Sequence, residues 1–338
     1  MWPSWILTDD LKMCKHDQNA EQGENPLMFS DRECHECRID KSKSIHSREA
    51  CCEEVLLEPL KVLFIHKGGI GDALLAGTVA ARYAENHPKH RVHICTNFPE
   101  LFFGSDLRII PLERKKLFRW SAKLMPKRYR CIDLYYSHDY ENDPALKEHM
   151  LTLMARKAGL SSIDLKPLIK FELDASPVFP EEEKIRIGIH SLGKEFPPGV
   201  KDYTPERWNE VIRLVKAADD RVSFVQLGAG ADPLLNGVTY NLRGMTSIQG
   251  SVSVLAQLDL FVGQVGFLMH ASRAVECPAV IVFGGSEKAH QSGYSENTNI
   301  ESDPECSPCW IKDCPYDIKC MSQIEPELVA AKILERLS

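Results

Sequence analysis

Short apolar segments alternate with longer amphipathic segments through most of the chain, starting near Leu60. The apolar run 60–67 stops at two glycines, which is typical of a buried parallel strand, and the small residues that follow predict a helix over 70–86. The same patterns predict strands over 91–96, 107–112 and 131–136 and a helix over 144–160. Strands that alternate with helices favour right-handed crossovers and a parallel sheet covered on both faces.

The alternation starts again after 174–183, a segment with prolines and three consecutive glutamates that we interpret as an interdomain linker. The elements predicted beyond it are strands over 185–190, 222–227, 240–242, 260–262 and 279–283, helices over 205–217, 247–257 and 268–275, and a terminal helix over 325–337. Two such α/β halves leave a cleft lined by the C-terminal ends of their strands, which is where open α/β sheets bind ligands.

The predicted organisation is therefore an α/β chain of two successive halves with a cysteine-rich N-terminal extension. The extension, 1–58, is polar and shows no sustained helical or strand period. The domains are predicted over 59–178 and 179–324, followed by the terminal helix within 325–338. A chain of 338 residues, 43% of them hydrophobic, is long enough to bury two such cores.

Charge and hydrophobicity exclude several classes of protein. The chain carries 41 Lys and Arg against 48 Asp and Glu, a net charge of -7, which argues against a nucleic-acid-binding surface. Its apolar runs are far shorter than the ~20 residues that span a bilayer, and no signal peptide is visible, so we expect a cytoplasmic protein. The basic and aromatic residues of 114–120 form either a face for an anionic acceptor or a membrane, or an ordinary solvated surface.

Most of the twelve cysteines cluster near the two ends of the chain. Without a secretory signal, clustered cysteines indicate metal ligands or redox groups rather than a disulfide framework. Four thiolates suit a zinc or iron site, and four protein ligands leave no open position for chemistry. We predict such a structural site at Cys306, Cys309, Cys314 and Cys320, with reduced cysteines in an ordered loop as the alternative. A second site is predicted at Cys34, Cys37, Cys51 and Cys52, with Cys14 or His35 as substitutes, unless the extension binds no metal.

A glycine-rich turn, Lys-Gly-Gly-Ile-Gly-Asp over 67–72, joins the first predicted strand to the first predicted helix. Gly69 and Gly71 would let a ligand approach the backbone, and the free N–H groups of a helix N-terminus attract anions. The spacing is neither the dinucleotide fingerprint nor a P-loop. From spacing alone, Asp72 is either a chemical group or an acid that caps the first helical turn.

Three segments of the second half are candidates for ligand binding, two for a diphosphate and one for a ribose. A helix start after the strand over 260–262 offers the first-turn amides of Gly266, Phe267, Leu268 and Met269. His270 could reach the same ligand or serve as a core histidine. Gly228 and Asp232 follow another strand, where an acid commonly takes a ribose hydroxyl, although a simple turn fits equally well. Lys194 and Lys201 either neutralise a diphosphate or are solvated.

Taken in order, these segments resemble glycosyltransferase family 9, the ADP-heptose:lipopolysaccharide heptosyltransferase family, over residues 60–337. The resemblance rests on the segments 62–74, 203–211 with Trp208, 242–248 and 263–284, and on the cysteine pattern of 306–324. Some relatives that glycosylate autotransporters are similar in carrying a four-cysteine iron site.

The resemblance implies a GT-B fold, in which two Rossmann-like domains, one for the acceptor and one for the nucleotide sugar, have a cleft between them. A final helix returns toward the first domain. It implies transfer of a heptose from a nucleotide diphosphate, with ADP-heptose favoured, to an acceptor hydroxyl, with inversion and no catalytic metal. The implied roles are general base for Asp72, ribose binding for Asp232, diphosphate binding for Lys201 and the amides of 266–269, and donor binding for Met245. The acceptor, which could be a glycolipid, a protein or a small molecule, and the state of oligomerisation stay open.

One departure from the family concerns the donor. Where relatives carry Asp-Ser/Thr-Gly before the helix histidine, this chain has Val265-Gly266-Phe267. The missing acid is expected to touch the donor sugar, so the resemblance leaves that sugar open. The alternative functions are a nucleotide-sugar epimerase or hydrolase on the same fold, and a metal-bearing binding protein without catalysis.

Overall fold

The computed structural model describes residues 60–176, 178–180, 184–191, 202–285, 287–309 and 314–338. The residues from Glu58 onward form one compact unit. The cysteine-rich extension predicted over 1–58 lies outside the described residues, and so do its four proposed metal ligands.

The first lobe is built on four parallel strands: β1 Lys61–Ile65, β2 Arg91–Cys95, β3 Arg108–Ile109 and β4 Tyr129–Asp133. Their order in the sheet is β3-β2-β1-β4. The apolar strand β1 lies in the interior of the sheet, with Leu63 opposite His93 on β2 and Cys131 on β4. The strand predicted over 107–112 is shorter in the structure, because Pro111 has no N–H to pair and a 3₁₀ turn follows it.

Helices cover this sheet: α1 Ile70–Asn86, α2 Lys115–Leu124, α3 Ser137–Asn142 and α4 Met150–Lys157. The prediction of α1 is confirmed, and its small buried residues allow close packing. The helix predicted over 144–160 begins later, because His149 caps it by accepting the Leu151 N–H on Nδ1 at 3.1 Å. Sequence patterns did not predict α2, which has no buried residue.

The second lobe is built on six strands: β5 Ile185–Ile189, β6 Val222–Gln226, β7 Tyr240–Asn241, β8 Leu260–Gln264, β9 Ala279–Phe283 and β10 Thr298–Glu301. Their order is β10-β9-β8-β5-β6-β7, and all neighbours are parallel. The residues of β6, β8 and β9 are buried throughout, as expected for strands covered on both faces. The edge strand β10 was not predicted, because Ile300 is its only buried residue.

The helices of this lobe are α5 Pro205–Ala218, α6 Ile248–Leu255, α7 Phe267–Ala274, α8 Ala289–Ser292, α9 Lys319–Ser322 and α10 Pro326–Leu337. The start of α5 is specified by Thr204, whose hydroxyl accepts the Arg207 N–H at 3.5 Å, and by Pro205 in the first turn. The prediction of an α/β chain with two parallel sheets is therefore confirmed.

The terminal helix α10 differs from expectation. We predicted that it returns to the first domain, but it packs on α5 and β9 of the second lobe. The physical reason is its apolar stripe of Val329, Ala330 and Ile333, which joins the same buried cluster as Trp208. Arg207 also holds the preceding loop, because its guanidinium donates to the Ile324 carbonyl at 2.6 Å.

One apolar core runs beneath both sheets. A single cluster contains Phe64 and Leu74 of the first lobe together with Met269 and Phe283 of the second. Hydrogen bonds close the seam, since Gln291 Nε2 donates to the Pro144 carbonyl at 2.8 Å and to the Leu146 carbonyl at 3.0 Å. Every helix in the described part of the chain is too short or too polar to span a membrane.

Candidate active site

The N-terminal turns of two helices, one from each lobe, meet in the cleft. α1 begins directly after the turn that follows β1, and α7 begins after β8. A Cβ built on Gly71 would lie 3.0 Å from the His270 ring and 3.4 Å from the Phe267 Cα. Three of the residues predicted from sequence are thus brought into contact, and Gly71 permits the close approach.

Asp72 lies in the first turn of α1 with 26% of its side chain accessible. Its Oδ2 accepts the Gly69 N–H at 3.0 Å, which closes the turn that begins the helix. Its Oδ1 accepts the Tyr136 hydroxyl at 2.6 Å. The carboxylate is therefore both a helix cap and an accessible group in the cleft, so the two interpretations from sequence are compatible.

His66 lies against the same carboxylate. It directly follows β1, its side chain is 1% exposed, and its Nε2 lies 3.7 Å from Asp72 Oδ2. The imidazole stacks on the Tyr136 ring with centroids 6.1 Å apart and an interplanar angle of 3°. A Cβ on Gly68 would collide with His66 Nε2. The glycine therefore leaves the space in which the two side chains face each other.

These neighbours set the charge of Asp72. Burial raises the pKa of its carboxyl, but the His66 imidazole, the Tyr136 hydroxyl and the His270 imidazole together outweigh burial, and the pKa is lowered overall. Asp72 is therefore ionised at neutral pH. The pKa of Tyr136 is raised well above its usual value by burial and by the Asp72 and Glu287 carboxylates, so its hydroxyl stays a hydrogen-bond donor.

His270 is held within the second lobe. It is buried, and its Nδ1 lies 2.5 Å from the Tyr294 hydroxyl. His149 lies beside the same tyrosine, with ring centroids 5.7 Å apart. Because His149 Nδ1 accepts the Leu151 N–H, its Nε2 donates to the Gly293 carbonyl, at 3.1 Å. His270 thus serves as a core residue, with one edge of its ring turned toward Gly71.

The start of α7 carries no acid. No side chain caps Gly266, and the first turn contains neither Asp nor Glu. A Cβ on Gly266 would have no atom within 4 Å, so the space in front of these amides is open. Leu268 and Met269 are buried, and Val265, which replaces the acid of the family pattern, packs in the core. This helix start can therefore accept an anion through its amides and dipole alone.

A second predicted loop lies at the end of β6. Asp232 is buried, and its Oδ2 accepts the Ala229 N–H at 2.7 Å while lying 3.6 Å from His190 Nε2. A Cβ on Gly228, which has φ +133°, would collide with the same oxygen. Asp232 thus closes its own turn, as one of the sequence interpretations allowed, and its contact with a ribose stays a prediction.

The predicted donor residues Gly228, Asp232 and Met245 belong to one loop cluster. The Gly244 N–H donates to the Gly228 carbonyl at 2.8 Å, and Gly244 has φ +65°. Met245 follows it with 73% of its surface exposed. Lys194 and Lys201 lie outside the described residues, so their proposed role stays a prediction.

The four C-terminal cysteines converge near Gly285. A Cβ on Gly285 would lie 2.9 Å from Cys320 Sγ and 3.5 Å from Cys309 Sγ. Burial raises the pKa of the Cys320 thiol, and the charges of Cys309, Cys314 and Cys306 raise it further. Over the described ranges, which omit 310–313, no three His, Cys, Asp or Glu side chains take up a metal-binding arrangement. Cys320 is buried, and the other three cysteines are half-buried.

Sequence reasoning missed several residues of the site: His66, Tyr136, His190 and Tyr294. The first three share a signal that was available, since each lies just beyond the C-terminal end of a strand that was predicted. Polar residues at those positions face the ligand edge of an open α/β sheet. Tyr294 had no such signal, because it follows the unpredicted helix α8.

Comparisons with known proteins agree with this architecture. The family model described as glycosyltransferase family 9 (heptosyltransferase) matches residues 139–319, slightly more than half of the chain. The iron-containing dodecameric glycosyltransferase TibC from enterotoxigenic E. coli H10407 superposes with a TM-score of 0.66 at 17% identity, covering 83% of this chain and 77% of TibC.

Two further structures are similar over nearly their whole length. The family 9 glycosyl transferase from Veillonella parvula DSM 2008 gives a TM-score of 0.62 at 13% identity, covering 83% of this chain and 99% of that one. The E. coli ADP-heptose lps heptosyltransferase II gives 0.55 at 14% identity, covering 82% and 98%. At these low identities, the TM-scores show that the chains share a fold. A search of curated protein sequences gave no match.

Proposed function

Since the chain belongs to glycosyltransferase family 9, we propose that it transfers a heptose from ADP-heptose to an acceptor hydroxyl, with inversion and without a catalytic metal. The observation that carries this proposal is an accessible, ionised carboxylate, Asp72, which directly follows Gly71, the residue at which α1 meets a helix start that has no acid of its own. The carboxylate suits a general base, and the helix start suits the diphosphate of the donor.

The reaction needs a base because an acceptor hydroxyl is a very weak acid and attacks poorly until its proton is removed. Asp72 takes that proton while a lone pair of the hydroxyl oxygen forms the bond to the anomeric carbon. The bond from this carbon to the diphosphate oxygen breaks, and its electron pair leaves with the diphosphate. Attack from the face opposite the leaving group inverts the anomeric centre.

The departing diphosphate gains negative charge, which the amides of Phe267, Leu268 and Met269 are placed to stabilise. The loop that contains Gly228, Asp232 and Met245 is proposed to hold the nucleoside, and Lys194 and Lys201 to add positive charge. Solved structures of TibC with ADP-D-β-D-heptose and of E. coli WaaC with ADP-2-deoxy-2-fluoro heptose support ADP-heptose as the donor. Val265 offers no acid to the sugar, so we expect weaker selection at one sugar hydroxyl.

Asp72→Asn tests this proposal directly. The amide keeps the shape of the side chain but removes its basicity, so turnover with ADP-heptose and a cell-lysate acceptor should fall by about 10²- to 10⁴-fold. Calorimetry with ADP should give an unchanged affinity. Asp133→Asn is the matched control, because Asp133 lies on the surface of the same lobe, paired with Arg119 at 2.9 Å, and should retain turnover.

Three outcomes separate the candidate functions. Wild-type turnover in Asp72→Asn contradicts the base. Sugar epimerised or hydrolysed from the donor without any acceptor points to an epimerase or hydrolase. ADP-heptose that binds but is never transferred points to a binding protein without catalysis.

The acceptor is proposed to approach the first lobe. The helix α2 presents a basic face together with Trp120 and Leu124, which are 47% and 58% exposed. Such a surface suits an anionic acceptor or the anionic face of a membrane. The dodecameric assembly of TibC supports a homo-oligomer of this chain, and we propose the cytoplasm as its location.

A structural zinc or iron ion is proposed at Cys306, Cys309, Cys314 and Cys320. The Cys309 and Cys320 thiols lie close together beside Gly285, and the neighbouring cysteines raise the pKa of Cys320, which supports this donor set. Elemental analysis of the full chain should find one metal per chain from this cluster. The double variant C309S/C320S should lose it, whereas C277S, which alters a buried cysteine elsewhere, should retain it. A stable, metal-free wild-type protein would contradict the site.

A further inference from the structure

A buried histidine lies behind Asp72 and takes no part in the proposed bond changes. His66 follows β1 directly and faces Asp72 Oδ2 across 3.7 Å. Resting on the function proposed above, we infer that His66 is a positioning residue, which holds the Asp72 carboxylate ionised and aimed at the acceptor hydroxyl. The glycine-rich turn and the tyrosines after β4 impose the geometry of this pair.

Gly68 keeps the two side chains together. A Cβ at this position would collide with His66 Nε2 and lie 2.5 Å from Asp72 Oδ2. The imidazole therefore faces the carboxylate through space that only a glycine leaves open. The first glycine of the turn thus has a role distinct from ligand approach, since it allows an interaction between two side chains of the protein.

The His66 ring is fixed by packing rather than by hydrogen bonds. Its plane is parallel to that of Tyr136 and within 26° of that of Tyr135. Within the part of the chain that the structure describes, neither ring nitrogen has a hydrogen-bond partner. The anionic oxygen opposite Nε2 favours the tautomer that carries its proton there. An N–H held in this direction stabilises the charged form of a carboxylate.

The other titratable groups around this pair come from both lobes. Tyr136 donates to the opposite oxygen, Oδ1, and His270 and Glu287 face Asp72 and Tyr136 from the second lobe. Cys95 offers its carbonyl, which accepts the His66 backbone N–H at 3.0 Å. Among the described residues, His66 is the side chain that faces Oδ2, so no described neighbour takes its place when it is removed.

The consequence is a specific pH dependence. A general base must be ionised before it takes the acceptor proton. His66 keeps Asp72 ionised at pH values where an isolated carboxyl in this half-buried position would be protonated. His66 takes no part in the proton transfer itself. Its loss should therefore change the pH range in which Asp72 acts as a base and leave the reacting atoms the same.

Two variants test the inference. His66→Gln removes the imidazole, and Gly68→Ala keeps both titratable groups but forces them apart. In each, the acid limb of kcat against pH should move up by about one pH unit, and kcat at pH 8 should fall by about three- to tenfold through lost orientation. The affinity for ADP, measured by calorimetry, should not change.

The matched control is His93→Gln. His93 is also a buried histidine of the first sheet whose ring nitrogens have no partner within the described residues, but it packs on Phe118. Removing it produces the same loss of a buried imidazole without touching Asp72. Its pH profile should match that of the wild type, which separates a general loss of stability from an effect on the base.

The outcomes distinguish this inference from the proposed function. A wild-type pH profile in both His66→Gln and Gly68→Ala, with Asp72→Asn inactive, overturns the role of His66 and leaves the base intact. Full turnover in Asp72→Asn overturns the proposed function itself. If neither variant folds, ¹⁵N NMR of the wild-type ring decides. A proton on Nε2 of neutral His66 supports the inference, and a proton on Nδ1 contradicts it.

Discussion

The helix starts of α1 and α7 occupy equivalent places in the two lobes, each after an interior strand of a parallel sheet, yet they treat negative charge in opposite ways. α1 carries its own acid, since Asp72 accepts the Gly69 N–H and fills the N-terminal turn. α7 has only apolar side chains in its first three positions and no cap at Gly266. One helix start is capped by an acid of the protein, and the other has no side-chain cap.

This contrast explains how similar turns can serve different substrates. In the proposed mechanism, the acid in the first turn of α1 repels the diphosphate and directs the donor toward α7. The same acid is then close to the other reactant, where a carboxylate is useful as a base. The division of roles therefore depends on one charge, which a point mutation can add or remove.

The largest effect is expected when an acid is added to the start of α7, because this removes the difference between the two helix starts. Gly266→Asp introduces a carboxylate into open space, so it should fold, and a cap of this type stabilises a helix by a few tenths of a kcal/mol over glycine. The affinity for ADP should nevertheless fall by about 10- to 100-fold, because the carboxylate repels the diphosphate and occupies its amides. Calorimetry measures the affinity, and thermal unfolding measures the stability.

The control for this variant is Gly266→Asn, which has the same shape without the charge and should lose much less affinity. Equal affinities in the two variants would show that the charge at this helix start does not matter. The diphosphate would then have to bind elsewhere in the cleft.

A smaller effect is expected when Asp72 is kept but one of its hydrogen-bond donors is removed. Tyr136→Phe removes the hydrogen bond to Asp72 Oδ1. Because that bond lowers the pKa of Asp72, its loss should raise the pKa and reduce kcat by about two- to fivefold near pH 4, with little change at pH 8. Tyr140→Phe, whose hydroxyl instead donates to the Glu148 carbonyl, is the control. A pH profile identical to the wild type in Tyr136→Phe would contradict this account.

Sequence patterns predicted the elements that are apolar and buried. β1, α1, β8 and β9 were found because strands covered on both faces and helices packed on them leave continuous or periodic apolar positions. The exposed helix α2 and the edge strand β10 were missed for the same physical reason, since they bury too little to leave a pattern. The place of α10 was wrong because a helical stripe predicts burial and not the surface that covers it.

The candidate site could be predicted only in part. Asp72 and the start of α7 were found because glycine turns mark helix starts. The surroundings that set the charge of Asp72 depend on side chains far apart in sequence, such as Tyr136, and on the space beside Gly68. Such contacts arise from the register of β1 against β4, which a single sequence does not specify.

The continuous apolar core beneath the two sheets couples the stability of one lobe to that of the other. If the second lobe binds a nucleotide, as proposed, the free energy of binding also opposes unfolding of the first lobe, because neither lobe can lose its packing without exposing residues of the other. Phe64 and Leu74 of the first lobe belong to this core, so nucleotide binding to the second lobe would stabilise their packing as well. A mutation in the interior of either lobe should therefore lower the free energy of unfolding of both lobes. A nucleotide bound at the proposed site would raise it for both.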